Sequence, residues 1–86
     1  MFEVFLTPSA QESYDKADQP LRTKLMRCFR RLELDPRHGN NIKRLTGDWA
    51  GYLRYRVGDW RVIYRVEDET SRVYVVTTAH RSEVYE

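Results

Sequence analysis

The feature that most constrains this chain is a change of period. Between Leu21 and Leu32 apolar residues recur every three or four positions, whereas from Trp49 to Ala79 they recur every second one. The first spacing makes one face of a helix and the second makes one face of a strand. Both patterns in one short chain require helices packed on a sheet. With 86 residues there is room for one such pair of layers, because single cores typically need about 100 residues. We therefore expect one α+β domain over residues 1–86, and neither a dinucleotide-binding fold nor an eight-helix barrel.

Local signals divide the chain further. Met1–Leu6 is apolar and short, and predicts a first strand. Thr7-Pro8 suits an N-cap followed by proline at the first helical position, while Ser9 and Glu12 offer a competing capping box. The helix that follows carries Ala10, Tyr14 and Ala17 on one face. Gln19-Pro20 opens a second helix with Leu21, Leu25, Cys28, Phe29 and Leu32 as its apolar stripe, and Asp35-Pro36 ends it. Residues 37–48 read as a loop. Three strands are then expected, over 49–57, 60–67 and 72–79, joined by turns at Gly58-Asp59 and 68–71. The order strand, helix, helix, strand, strand, strand predicts a twisted, mainly antiparallel sheet with a helical hairpin on one face.

Gly58-Asp59 fixes a register. Glycine at the first position of a two-residue loop suits a type II′ turn. Val57 then faces Trp60, Tyr55 faces Val62 and Leu53 faces Tyr64, all on the side turned to the helices. The other side carries Arg56 opposite Arg61, Arg54 opposite Ile63 and Tyr52 opposite Arg65. With a four-residue turn at 68–71, Arg65 should face Tyr74, Ile63 should face Val76 and Arg61 should face Thr78, and His80 should emerge on the arginine side. Arginines scattered over strands are ordinarily a solvated surface. Here opposed like charges, each such pair unfavourable by roughly 0.2–1 kcal/mol, lack an acidic partner on that side of the hairpin. That favours an anion site.

The charge distribution agrees. Twelve of the 15 basic residues are arginine, whose planar fork matches phosphate oxygens better than the point charge of lysine. The formal net charge is only +2, but residues 37–65 hold seven basic and two acidic side chains. A basic central block in an otherwise balanced chain points to a polyanionic partner. The arginines of the second helix, Arg27, Arg30 and Arg31, read as a solvated face or as a further contact to a nucleic-acid backbone. A single cysteine, Cys28, precludes an internal disulfide and fits a reducing compartment. Cys28, His38 and His80 lack metal-ligand spacing, so no metal is expected. His80 is a candidate acid or base because imidazole titrates near neutrality. No apolar run reaches the roughly 20 residues of a membrane span, and the N-terminus lacks the pattern of a signal peptide. A cytoplasmic protein is expected.

The run from Gly51 to Tyr64, with Arg56-Val57-Gly58-Asp59-Trp60-Arg61 at its centre, resembles the RelE/ParE toxin superfamily. So does the ending His80-Arg81-Ser82-Glu83-Val84-Tyr85, which points to the RelE branch. The element order agrees over nearly the whole chain. The resemblance implies the toxin of a toxin–antitoxin pair, a ribosome-dependent endoribonuclease that cuts mRNA in the ribosomal A site. The implied reaction is attack of a ribose 2′-hydroxyl on the adjacent phosphate, without a cofactor. Arg61 matches the family's phosphate-holding arginine, Arg54 matches a basic position on the preceding strand, and Arg56 is the arginine of the run before the turn. Tyr85 matches a tyrosine that stacks on or orients the nucleotide, and His80 and Arg81 lie where further catalytic residues are placed. Arg56 and Arg65 would add phosphate contacts.

The chain departs from the family in two places. Some members carry two lysines on the strand before the turn, where this chain has Tyr52 and Arg54, so either Arg54 carries that role alone or Lys43 and Arg44 assist from the loop. Some carry a basic residue at the position of Ala79. The implied partners are a RelB-like antitoxin, the ribosome and mRNA. Two other functions fit the same fold: a ParE-like inhibitor of DNA gyrase without nuclease activity, and a non-catalytic RNA-binding protein.

Overall fold

The computed structural model describes residues 1–80, and residues 81–86 lie outside the described residues. Strand β1 (Glu3–Leu6) leads into helices α1 (Pro8–Lys16) and α2 (Gln19–Leu34), followed by β2 (Ile42–Arg44), a 3₁₀ turn at Gly47–Trp49, β3 (Leu53–Val57), β4 (Trp60–Glu67) and β5 (Arg72–His80). The five strands form one sheet in the order β1-β5-β4-β3-β2. Strand β1 runs parallel to β5, and the other pairings are antiparallel. The α+β class and the helical hairpin match expectation.

Both helices start where Thr7-Pro8 and Gln19-Pro20 place them. The Thr7 hydroxyl accepts from Ala10 N at 3.3 Å, which decides between the two candidate caps. Asp18 accepts from Leu21 N at 3.0 Å, with Pro20 in the first turn of α2. At the end of α2 the Asp35 carboxylate turns to the chain beyond and accepts from Arg37 N at 3.0 Å and His38 N at 3.3 Å.

The core lies between the hairpin and one face of the sheet. Ala10, Leu25, Cys28, Phe29 and Leu32 from the helices meet Leu53, Val57, Val62, Tyr64, Val73 and Val75 from the strands. Burial pushes the Cys28 thiol up to about 12, so it is a packing group and not a nucleophile. Tyr64 is fully buried, and burial raises its hydroxyl above the ordinary tyrosine range. That hydroxyl donates to Pro36 O at 2.6 Å, which pins the start of the loop leaving α2 to the middle of the sheet.

The structure corrects the expected strands at three places. The stretch 37–48 is not all loop, because Ile42–Arg44 adds a fifth strand on the edge of the sheet, paired with β3. Strand β3 starts at Leu53, and Trp49 belongs to the 3₁₀ turn before it. Gly47 at the start of that turn and Gly51 just beyond it, with φ of 64° and 92°, bend the chain. Tyr52 therefore precedes the ladder and does not face Arg65.

The third correction is a β-bulge. Arg65 faces Tyr74, as the four-residue turn requires, but the register shifts between Ile63 and Tyr64. Val76 is the extra residue, so Ile63 faces Thr77, Arg61 faces Ala79 and Trp60 faces His80. The Val76 carbonyl accepts from Thr7 Oγ1 at 2.8 Å, and Thr7 N donates to Val75 O at 3.0 Å. One residue thus caps α1 and satisfies the bulge.

Candidate nucleic-acid interface

The Gly58-Asp59 turn holds the predicted register. Gly58 has φ of 60°, which a type II′ turn demands of its first central residue, and Arg56 faces Arg61 while Arg54 faces Ile63. Strand β2 extends the row, since Lys43 faces Arg54. Successive side chains alternate across a sheet. Lys43, Arg54, Arg56 and Arg61 therefore share the face turned away from the helices. At its middle is Ile63, which is 0% exposed yet lies outside the helix-side core cluster. A buried aliphatic side chain among guanidiniums lowers the local dielectric, which strengthens their pull on a phosphate.

Backbone carbonyls fix these arginines. Asn41 O accepts from Arg54 Nη1 at 2.8 Å and from Arg56 N at 2.9 Å. Arg61 Nη1 donates to Gly58 O and Trp60 O, each at 3.3 Å. The Asn41 contribution had no sequence signal, because any residue can supply a carbonyl.

Two expected members of the site, Arg44 and His80, are placed differently, and a third, Arg65, sits where expected but is already paired. Arg65 is on the arginine face but has an acidic partner: its Nη1 pairs with Glu67 Oε2 at 3.2 Å, and its guanidinium lies 4.4 Å from the Tyr74 ring centroid. A hydrogen bond from Thr70 and the Arg65 pair hold the Glu67 carboxyl below its usual range. Arg65 is thus already engaged at the far end of β4. Arg44 faces Leu53, and so lies on the helix side of the edge strand, opposite to Lys43. His80 faces Trp60 and packs edge-to-face on its ring at 5.6 Å, also on the helix side. The Val76 bulge is the reason, because it reverses the alternation that placed His80 with the arginines. Arg81 and Tyr85 lie outside the described residues.

Beyond the arginines, the same face carries an aromatic cluster. Phe5 stacks on Tyr74 at 5.7 Å, and Arg72 lies 5.2 Å from the Phe5 ring. The outward surface therefore changes from cationic at β2–β4 to mixed at β5–β1.

A sequence model of the ParE toxin of type II toxin–antitoxin systems, parDE, matches residues 4–85. The chain belongs to this family. No curated protein matches it in sequence. Solved structures agree on the fold. The toxin–antitoxin complex RelBE2 from Mycobacterium tuberculosis superposes with a TM-score of 0.81 at 25% identity, covering 93% of this chain and 98% of that one. The YoeB/ParE toxin from Agrobacterium tumefaciens gives 0.82 at 25% identity, covering 92% and 98%. The archaeal RelE–RelB complex from Pyrococcus horikoshii gives 0.80 at 20% identity, covering 96% and 98%, a likeness of fold. The resemblance to the RelE/ParE superfamily therefore holds, and this ParE-family chain is a toxin of a toxin–antitoxin system.

Proposed function

We propose that this toxin is a ribosome-dependent endoribonuclease that cuts mRNA in the A site and so stops translation. The observation that carries this is the row Lys43, Arg54, Arg56, Arg61 across three adjacent strands. Guanidiniums at strand spacing on a rigid sheet suit successive phosphates of a single strand. In the proposed reaction the 2′-oxygen bonds to phosphorus and the P–O5′ bond breaks. The 2′-hydroxyl proton goes to a base, and the departing 5′-oxygen takes one from an acid. A cyclic 2′,3′-phosphate and a 5′-hydroxyl result. Arg61 holds the phosphate as charge builds on it, Arg54 and Arg56 hold the flanking backbone, and Arg81 and Tyr85 complete the site. A RelB-like antitoxin with an acidic segment neutralises the toxin by covering the cationic face. The similar RelBE2 and RelE–RelB structures are themselves complexes with antitoxins.

A second function, gyrase inhibition without cleavage, is favoured by one observation. Both histidines lie off the arginine face, His80 on the helix side and His38 beside Asp35 in the loop. Neither is placed to act as a base there. Programmed ribosomes separate the two. Mapped mRNA ends should show A-site cuts with the natural chain, reduced by roughly 10²–10³-fold in Arg61→Ala, and lost in Tyr85→Ala. Intact mRNA together with inhibited DNA supercoiling would instead establish the gyrase function.

A further inference from the structure

The loop that leaves α2 and the edge strand β2 enclose a pocket of about 400 Å³, lined by Arg37, Arg44, Leu45, Gly51, Tyr52 and Leu53. The ladder places Arg44, one of its lining residues, opposite Leu53 on the helix side of the β2 edge. Two of its lining residues, Leu45 and Leu53, are buried. Its rim holds two guanidiniums. Arg37 is anchored by Asp68 at 2.6 Å through one nitrogen, which leaves other N–H donors of its fork available. The segment carrying it is fixed by the Asp35 cap and by the Tyr64–Pro36 hydrogen bond. Arg44 is held by the β2–β3 ladder, and its side chain is exposed.

An aromatic pair adjoins the pocket. Tyr52 lines the pocket and meets Trp49 edge-to-face at 5.4 Å, and Trp49 is 38% exposed. A pair of guanidiniums next to an exposed indole and a phenol is the combination that accepts a nucleotide, phosphate on the cations and base on the rings. The pocket is also continuous with the cationic face. Lys43 and Arg44 are adjacent residues on opposite sides of one edge strand, so a backbone running along Arg61, Arg54 and Lys43 meets Arg44 on passing around the edge.

We propose that Arg37, Arg44, Tyr52 and Trp49 form a second single-stranded RNA subsite, which holds a phosphate and stacks a base several nucleotides from the cut. It rests on the proposal that this toxin acts on RNA, but it concerns binding and not cleavage.

The test uses the full chain with 2′-O-methyl RNA, which cannot be cut, as a dinucleotide and as a decanucleotide. Arg44→Gln should weaken the decanucleotide about tenfold and flatten its salt dependence by about 0.7 in log–log slope, the share of one phosphate contact. Dinucleotide binding should be unchanged. Arg44→Lys should restore the slope. The chain has two tryptophans, so their indole N–H resonances can be followed separately, and that of Trp49 should move only with the decanucleotide. The subsite is overturned if the natural chain fails to bind the decanucleotide, if Arg44→Gln binds it normally, or if Lys24→Gln on α2 weakens it as much. Cleavage on programmed ribosomes, measured in parallel, keeps the two proposals apart. Arg44-dependent binding without cleavage sinks only the nuclease, and cleavage without Arg44-dependent binding sinks only the subsite.

Discussion

Single side chains carry unequal weight here. Tyr64 does two tasks at once: its ring fills the centre of the core and its hydroxyl holds Pro36 O. Removing the hydroxyl alone leaves a buried carbonyl without its donor, which costs about 1–3 kcal/mol. Tyr64→Phe should therefore lower the free energy of urea unfolding by that amount, and an unchanged midpoint would contradict the anchoring role. Arg56 is the opposite case, a residue that the fold alone does not favour. It faces Arg61 across the ladder, and two like charges in register oppose sheet formation by roughly 0.2–1 kcal/mol. Arg56→Thr should stabilise the protein by about this amount while weakening RNA binding at low salt. Chemical denaturation and an RNA titration on one preparation check both halves, and a variant that gains neither stability nor loses affinity would remove Arg56 from the interface.

At the scale of elements, the start of α1 and the bulge in β5 are one joint. Thr7 caps the helix and donates to the Val76 carbonyl. Thr7→Ala removes both contacts, and loss of the cap alone costs about 0.5–2 kcal/mol. Thr7→Ser should recover most of the loss, because serine retains the hydroxyl; equal destabilisation of both variants in thermal melts would point to the methyl group instead. This joint also explains what the sequence hid. The starts of both helices, the apolar stripe of α2 and the β3–β4 register were legible, because Thr7-Pro8, Gln19-Pro20 and Gly58-Asp59 each specify a backbone geometry that few other residues accept. The bulge was not legible. Val75, Val76 and Thr77 are all β-branched, and no glycine marks the extra residue, so alternation read straight through it. Straight alternation puts His80 on the wrong face for that reason, although it groups Arg54, Arg56 and Arg61 correctly. Strand β2 escaped because three residues, Ile42 to Arg44, are too few to show a period.

The whole molecule is two-sided: helices cover one face of the sheet, and the other carries cations on four of its five strands, β2 to β5. Acid sensitivity belongs to this scale, because it sums over the surface. Lys16 lowers Glu12 through a hydrogen bond of 2.6 Å, the Arg37 amide lowers Asp35, and Thr70 and Arg65 lower Glu67. Each carboxyl is more acidic folded than unfolded, so the unfolded chain takes up protons first. The stability they add is complete above the ordinary carboxylate range, about 4, and is lost as pH falls through and below it. Urea midpoints should agree at pH 7 and pH 5.5 and fall by pH 3, and a flat profile down to pH 3 would exclude these contacts as contributors. The parallel pairing of β1 with β5 has a consequence in time. It joins Glu3 to Arg72 and Leu6 to Val75, so the first strand waits for the last. Contacts so distant in sequence form slowly, and during synthesis the sheet cannot close before β5 has emerged.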